Sequence, residues 1–344
     1  MRADPEPPDP APGETGGEPP RVVEVAGGRF AYLAAGPERG PLVVCLHGFP
    51  DHAESFAPFL ARLGDAGYRA VAPWMRGYAP STLAGPYDGE QLADDALAIA
   101  RSLAAGRRFA LVGHDWGALA VWSACARTPD DLACAVTMAV PHPLATARHL
   151  ARHPSQLRKS WYVFFFQIPR APEWALARGD FALVDRLWRD WSPGFELDDG
   201  ARGRLHRCLA ASMPAPIDYY RAIPRQLGTL RVARGRIATP VLHLHGADDG
   251  CIEAAAAERQ ARFMRGPFAS ELVAHAGHFL QLERPDESSA RTLPRRASKP
   301  ARSLQKTSCH VMEYPRLLIA WPHRPHRHLN ISEVANSVLL KRPS

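Results

Sequence analysis

RFALVGHDWG, running from Arg108 to Gly117, decides how this chain folds. Phe109 to Val112 is a short apolar run of the kind that makes a buried strand. Gly113-His114-Asp115-Trp116-Gly117 then forces a sharp reversal, and Ala118 to Arg127 has the composition of a helix. A strand that passes through Gly-x-Nu-x-Gly into a helix is a nucleophile elbow. Its glycines let the backbone close so tightly that the central side chain stands alone at the sheet's edge. That centre is usually Ser. Here it is Asp115, and a carboxylate so placed attacks saturated carbon to leave an alkyl ester. The competing reading, an Asp that only caps the following helix, does not account for two glycines at this spacing.

Outward from the elbow the chain alternates. Upstream, Arg21–Val25 and Arg29–Ala34 read as an antiparallel hairpin about Gly27-Gly28, and Pro41–Leu46 as a continuous apolar strand. A helix over Phe56–Ala66, a strand over Arg69–Pro73 and a helix over Asp88–Leu103 follow, the last with Leu92, Ala96, Ile99 and Leu103 at helical spacing. Downstream, Ala133–Val140 is another apolar strand. Such alternation predicts a mostly parallel sheet with helices on both faces. From Leu144 to about Leu230 the pattern changes to aromatics and short helical stretches broken by Pro, and sheet character returns at Pro240–His245 and near Glu271–Ala274. The expected class is therefore α/β, with a helical cap (residues 144–230) inserted after the sixth strand. The core would comprise 21–143 and 231–287. In open α/β sheets ligands bind at the carboxyl ends of the strands, which is where such a cap would sit.

Both ends differ from this body. Residues 1–20 are Pro, Gly, Glu and Asp with almost nothing apolar, which predicts a disordered leader. From Ser288 to Ser344 the chain carries 11 Lys+Arg against 2 Asp+Glu and loses amphipathic pattern, so it reads as an atypical basic tail. The rest holds 31 basic and 33 acidic residues, so the net charge of +7 belongs to the tail and nucleic-acid binding is discounted. His323, His326 and His328 are interleaved with Pro and Arg, which suits a solvated segment better than a metal site. No apolar stretch is long enough for an integral membrane segment. The acidic, Pro-rich N-terminus resembles neither a secretory signal nor a transit peptide. The six cysteines are scattered without a CxxC pair, which suits buried thiols in a reducing cytoplasm. Oligomeric state is left open, a homodimer being allowed.

Three further segments supply what Asp115 would need. His278, in His275-Ala276-Gly277-His278-Phe279, ionises near neutral pH and suits a general base, with His275 as the competitor. Gly246-Ala247-Asp248-Asp249-Gly250 offers an acid to orient that imidazole; Asp249 is preferred and Asp248 is the alternative. The chain order nucleophile, acid, base fits this elbow. His47-Gly48-Phe49-Pro50 can present the Phe49 N–H, which with the N–H of Trp116 makes a two-donor oxyanion hole.

HGFP at 47–50, RGY-x-x-S at 76–81, GHDWG at 113–117 and Gly277-His278 together resemble the epoxide hydrolases of the α/β-hydrolase fold, close to the haloalkane dehalogenases. The resemblance spans about residues 21–287. It implies two cap tyrosines that donate to the epoxide oxygen, at Tyr162 in SWYVFFFQ and Tyr220 in DYYR, with Tyr219 less favoured. It further implies hydrolysis of a small apolar epoxide to a vicinal diol through an aspartyl ester, with no cofactor and no metal. A haloalkane or haloacid dehalogenase using the same Asp–His–Asp set is the nearest alternative. Phe49 lacks a side-chain donor for halide, and a tyrosine pair suits an oxygen leaving group. The second alternative is a catalytically impaired relative with a binding role. It rests on the tail: the family closes with a helix beside the His loop, and here the pattern breaks at Ser288, which predicts either a marginally stable domain or a loosened loop.

Overall fold

The computed structural model describes residues 19–226 and 235–293. Most of the leader, residues 227–234 and the tail from 294, with its three histidines, lie outside the described residues. The chain runs β1 (Arg21–Val25), β2 (Gly28–Ala35), β3 (Leu42–Leu46), α1 (Ala57–Asp65), β4 (Arg69–Pro73), α2 (Gly89–Ala104), β5 (Phe109–His114), α3 (Trp116–Arg127) and β6 (Leu132–Met138). Seven helices follow before the sheet resumes: α4 (Pro143–Leu150), α5 (Pro154–Lys159), α6 (Trp161–Phe165), α7 (Ala171–Ala177), α8 (Ala182–Trp191), α9 (Asp199–Ser212) and α10 (Ala215–Gln226). The sheet then takes β7 (Val241–Gly246) and β8 (Phe268–Val273), and α11 (Leu280–Glu283) and α12 (Pro285–Thr292) close the described chain.

The eight strands lie in the order β1-β2-β4-β3-β5-β6-β7-β8. β1 and β2 pair antiparallel with each other, and β2 pairs antiparallel with β4; all other neighbours are parallel. Every residue of β3, β5 and β7 is buried, as expected for central strands covered by helices on both faces. α2 starts where Asp88 accepts from the N–H groups of Glu90 and Gln91, and stops at Ala105 and Gly106, both at positive φ. Four of the five described cysteines are buried and all five are free. Among the described residues no helix is long and apolar enough to cross a membrane.

Two boundaries depart from the sequence reading. β8 begins at Phe268, earlier than expected, because this edge strand has a single buried residue, Val273, and Ser270 and Glu271 interrupt its apolar pattern. The closing helix also crosses the expected break at residue 287: α12 continues to Thr292 with Ser288 and Ser289 buried. Hydroxyls replace the missing apolar side chains. Ser288 Oγ donates to Leu280 O and Ser289 Oγ to Asp286 O, so each buried hydroxyl has a partner. The helix also packs against α1, with Arg62 paired to Asp286.

Candidate active site

Asp115 sits at φ 51°, ψ −115°, a backbone conformation that costs an L-residue energy, at the junction of β5 and α3. The glycines around it make room rather than bend. A Cβ on Gly113 would lie 2.3 Å from Gly117 O, one on Gly117 would lie 2.2 Å from Leu46 O, and one on Gly48 would lie 2.3 Å from the Asp115 side chain. The result is a carboxylate raised against the His47–Pro50 loop, where the Phe49 N–H donates to Asp115 Oδ1 at 2.9 Å. Trp116, as the first residue of α3, adds one of the N–H groups that a helix start leaves without an intrahelical partner.

That loop is itself fixed. His47 Nε2 accepts from Met75 N–H at 3.0 Å, which puts the ring proton on Nδ1, 3.0 Å from Gly48 O. The Arg76-Gly77-Tyr78 motif supports it from below. Tyr78 Oη donates to Gly48 O, while Arg76 makes a buried two-pronged pair with Asp95.

His278, fully buried, lies between two carboxylates. Its Nδ1 is 2.9 Å from Asp249 Oδ2, and its Nε2 is 3.6 Å from Asp115 Oδ2. Asp249 is held in turn by the N–H groups of Cys251 and Ile252 at 2.7 and 2.9 Å. Of each sequence pair one member reaches the cluster: Asp248 and His275 are exposed, whereas Asp249 and His278 are buried and joined. Burial alone disfavours a charged ring at His278, but Asp249 and Asp115 outweigh it and raise its pKa well above that of a free imidazole. Burial likewise opposes ionisation of Asp115 and Asp249, yet His278 and the donated N–H groups hold both below the usual carboxylate range.

Tyr162 on α6 and Tyr220 on α10 roof the site. The Tyr220 ring packs edge-to-face on Phe49 and Trp116 at 5.2 Å each, and Tyr162 stands 5.6 Å from Tyr220. Tyr220 Oη is buried with no hydrogen-bond partner; Tyr162 Oη has the Cys251 thiol at 3.2 Å. Burial raises both phenol pKa values, so each keeps its proton at neutral pH. Tyr219 turns away to donate to Arg76 O.

Several supporting residues escaped the sequence reading. Glu283 of α11 accepts from Gly277 N and Phe279 N on either side of His278, and also from Ser192 Oγ. Ser192, at the end of α8, accepts from His278 N, and Trp188 of the same helix stacks on Phe279 with ring centroids 3.5 Å apart. These bonds clasp the His loop from α8 and α11, both of which lie before the expected break at Ser288. Behind it, His114 Nε2 lies 2.9 Å from His278 O, and the nearby Asp51 takes bonds from Ser55 and Gln281. Burial drives Asp51 up to about 7 and His114 down to about 3. Only the HGFP-D run and the His of GHDWG hinted at this layer. Asp249, Cys251 and His278 bring ligand-type atoms within 4.8 Å of one another. Asp249 and His278 already satisfy each other, however, and burial pushes the Cys251 thiol well up, away from the thiolate a metal needs.

Residues 41–285 match the family described as alpha/beta hydrolase fold. The chain is 34% identical over 273 residues to epoxide hydrolase 3 of Xenopus tropicalis, an alignment covering 76% of this chain and 73% of that protein. It is 31% identical over 278 residues to epoxide hydrolase 4 of Mus musculus, covering 77% and 75%. The crystal structure of epoxide hydrolase A from Mycobacterium thermoresistibile superimposes with a TM-score of 0.66 at 27% identity, over 79% of this chain and 96% of that one.

Proposed function

This chain belongs to the epoxide hydrolase family of the α/β-hydrolase fold, and we propose that it converts small apolar epoxides to vicinal diols through an ester formed on Asp115. One observation supports this above the others. A buried carboxylate with one oxygen held by Phe49 N–H and the other facing His278 lies under two protonated phenols.

In the first step Asp115 Oδ2 attacks an epoxide carbon as the C–O bond breaks, and Tyr220 and Tyr162 deliver hydrogen bonds and then a proton to the leaving oxygen. A bare alkoxide in this dry pocket would be costly, and two neutral donors remove that cost. Alkylation also cancels the Asp115 charge. His278 then faces one carboxylate instead of two, its pKa falls, and its proton restores the tyrosine that gave one up. Charge is conserved, and the ring becomes the free base that the second step requires. Water activated at His278 Nε2 attacks the ester carbon, the Phe49 and Trp116 N–H groups hold the oxyanion, and the diol leaves as Asp115 is regenerated. Asp249 keeps the ring oriented throughout. No step calls for a metal or an organic cofactor. The five described cysteines, free and mostly buried, support a reducing, cytoplasmic setting for the enzyme.

The test is to trap the ester. His278→Gln incubated with styrene oxide should gain the mass of one epoxide, located to the peptide carrying Asp115, while the native enzyme releases phenylethanediol. Halide release from a bromoalkane without diol formation would move the assignment to a dehalogenase. Absence of both adduct and diol with a folded protein would leave the impaired-relative reading.

A further inference from the structure

The helical insert buries one apolar face over the site and leaves a second one in water. Along α5, α6 and the turn after them, Leu157, Trp161, Phe164 and Ile168 are exposed at spacings of four, three and four residues, so they fall on one side of the segment. Tyr162 and Phe166 on the opposite side are buried in the site. A segment apolar on both faces is not finished by packing among the described residues. Trp174 of α7 extends the outer face. It is 63% exposed, Phe164 is 59% exposed, and Arg221 ties the two stretches together by bonding Phe166 O, Ile168 O and Glu173. Contiguous aromatic exposure on this scale marks a surface that meets something apolar.

The charges around it say what. Residues 144–174 carry five Lys+Arg and one Asp+Glu, and that one acid, Glu173, is already paired with Arg221. Arg158 and Arg170 are exposed and make no ion pair among the described residues, and Arg178 lies over the Trp174 ring. A second copy of the chain would bring the same positive rim against itself, and the tail, with 11 Lys+Arg to 2 Asp+Glu, would be repelled likewise. Exposed aromatics ringed by unpaired guanidinium groups complement an anionic bilayer, where rings enter the headgroup layer and arginines meet lipid phosphates. We propose that this face of the insert docks the enzyme on anionic membrane surfaces. Tyr162 and the aromatic face alternate on the same short helix, so a docked enzyme holds its roof against the phase in which apolar substrates concentrate.

The experiment uses the full-length chain and sedimentation with vesicles. Binding should be strong with phosphatidylcholine vesicles containing phosphatidylserine and weak with phosphatidylcholine alone, and it should fall as salt screens the arginines. The double variant Phe164→Ser/Trp174→Ser should lower partitioning by roughly tenfold or more. Its melting temperature and its turnover of styrene oxide in solution should not change. The assay needs no catalytic activity, so it stands whatever becomes of the proposed reaction. Undiminished binding by the double variant, or no preference for the anionic vesicles, would overturn the proposal. So would a concentration-dependent dimer that the double variant abolishes, since the occupant would then be a second copy.

Discussion

The floor and the roof of the site are held in opposite ways. On the floor, each charged group already faces a donor or an opposite charge: Asp115 takes a bond from Phe49 N–H and lies 3.6 Å from His278 Nε2, which makes no hydrogen bond, and Asp249 takes bonds from two backbone N–H groups and the same ring. On the roof, the Tyr220 hydroxyl has no partner and the Tyr162 hydroxyl has only a thiol. Burial explains the contrast. An unpaired charge inside a protein is too costly to keep, so ionised groups must come preassembled. A neutral phenol left open costs far less and is available to whatever oxygen enters.

The largest expected effect comes from removing the floor's central charge. Asp115→Asn preserves the shape and the bond from Phe49 but removes the proposed nucleophile, so turnover should drop by roughly 10⁴-fold or more with the melting temperature little changed. Asp249→Asn should lower turnover by about 10³–10⁴-fold and should slow ester hydrolysis more than ester formation, which rapid-quench measurements would show as accumulated ester. The pH dependence gives this its sign. In the proposed mechanism hydrolysis needs neutral His278, so its rate should fall as pH drops through the ring's pKa in the ester. Asp249 raises that pKa, and its loss must move the acid limb to lower pH. An acid limb that stays in place would mean Asp249 acts through orientation alone.

Roof variants should behave differently. Tyr220→Phe removes a hydroxyl that makes no well-formed hydrogen bond and only faces the Trp116 side chain, so stability should stay within about 0.5 kcal/mol while turnover falls by roughly 10²-fold. Tyr162→Phe should cost roughly tenfold in turnover and slightly lower the melting temperature, because the Cys251 contact goes with it. Equal stability losses in the two variants would erase the distinction between floor and roof. The smallest effect is expected at the loop clasp. Glu283→Ala strips the acceptor from Gly277 N, Phe279 N and Ser192 Oγ, which should lower stability by about 1–3 kcal/mol and turnover only a few-fold.

Much of the floor was legible in the order of the residues and much of the roof was not. The elbow and the His47–Pro50 loop are local. Gly113, Gly117 and Gly48 are required where backbone would otherwise collide with Cβ atoms, and such requirements leave a spacing that can be read directly. Tyr162 and Tyr220 stand on helices with no periodic mark to single them out among Trp161, Phe164, Phe165 and Tyr219. They were named only through family resemblance. Glu283 and Ser192 carried no signal, since a loop carboxylate and a helix-end hydroxyl are ordinary residues until the fold sets them around His278.

Alternation of apolar runs with amphipathic helices determined the sheet, the inserted helices and the elbow, because backbone sterics and burial act over a few residues at a time. Only the tertiary structure decided between neighbours. Asp249 rather than Asp248, His278 rather than His275, and Tyr220 rather than Tyr219 enter the cleft, because a side chain's direction within a turn is set by what packs against it from far along the chain. The charge states follow from the same source: an imidazole holds its proton here through two carboxylates, one 163 residues before it and one 29 residues before it.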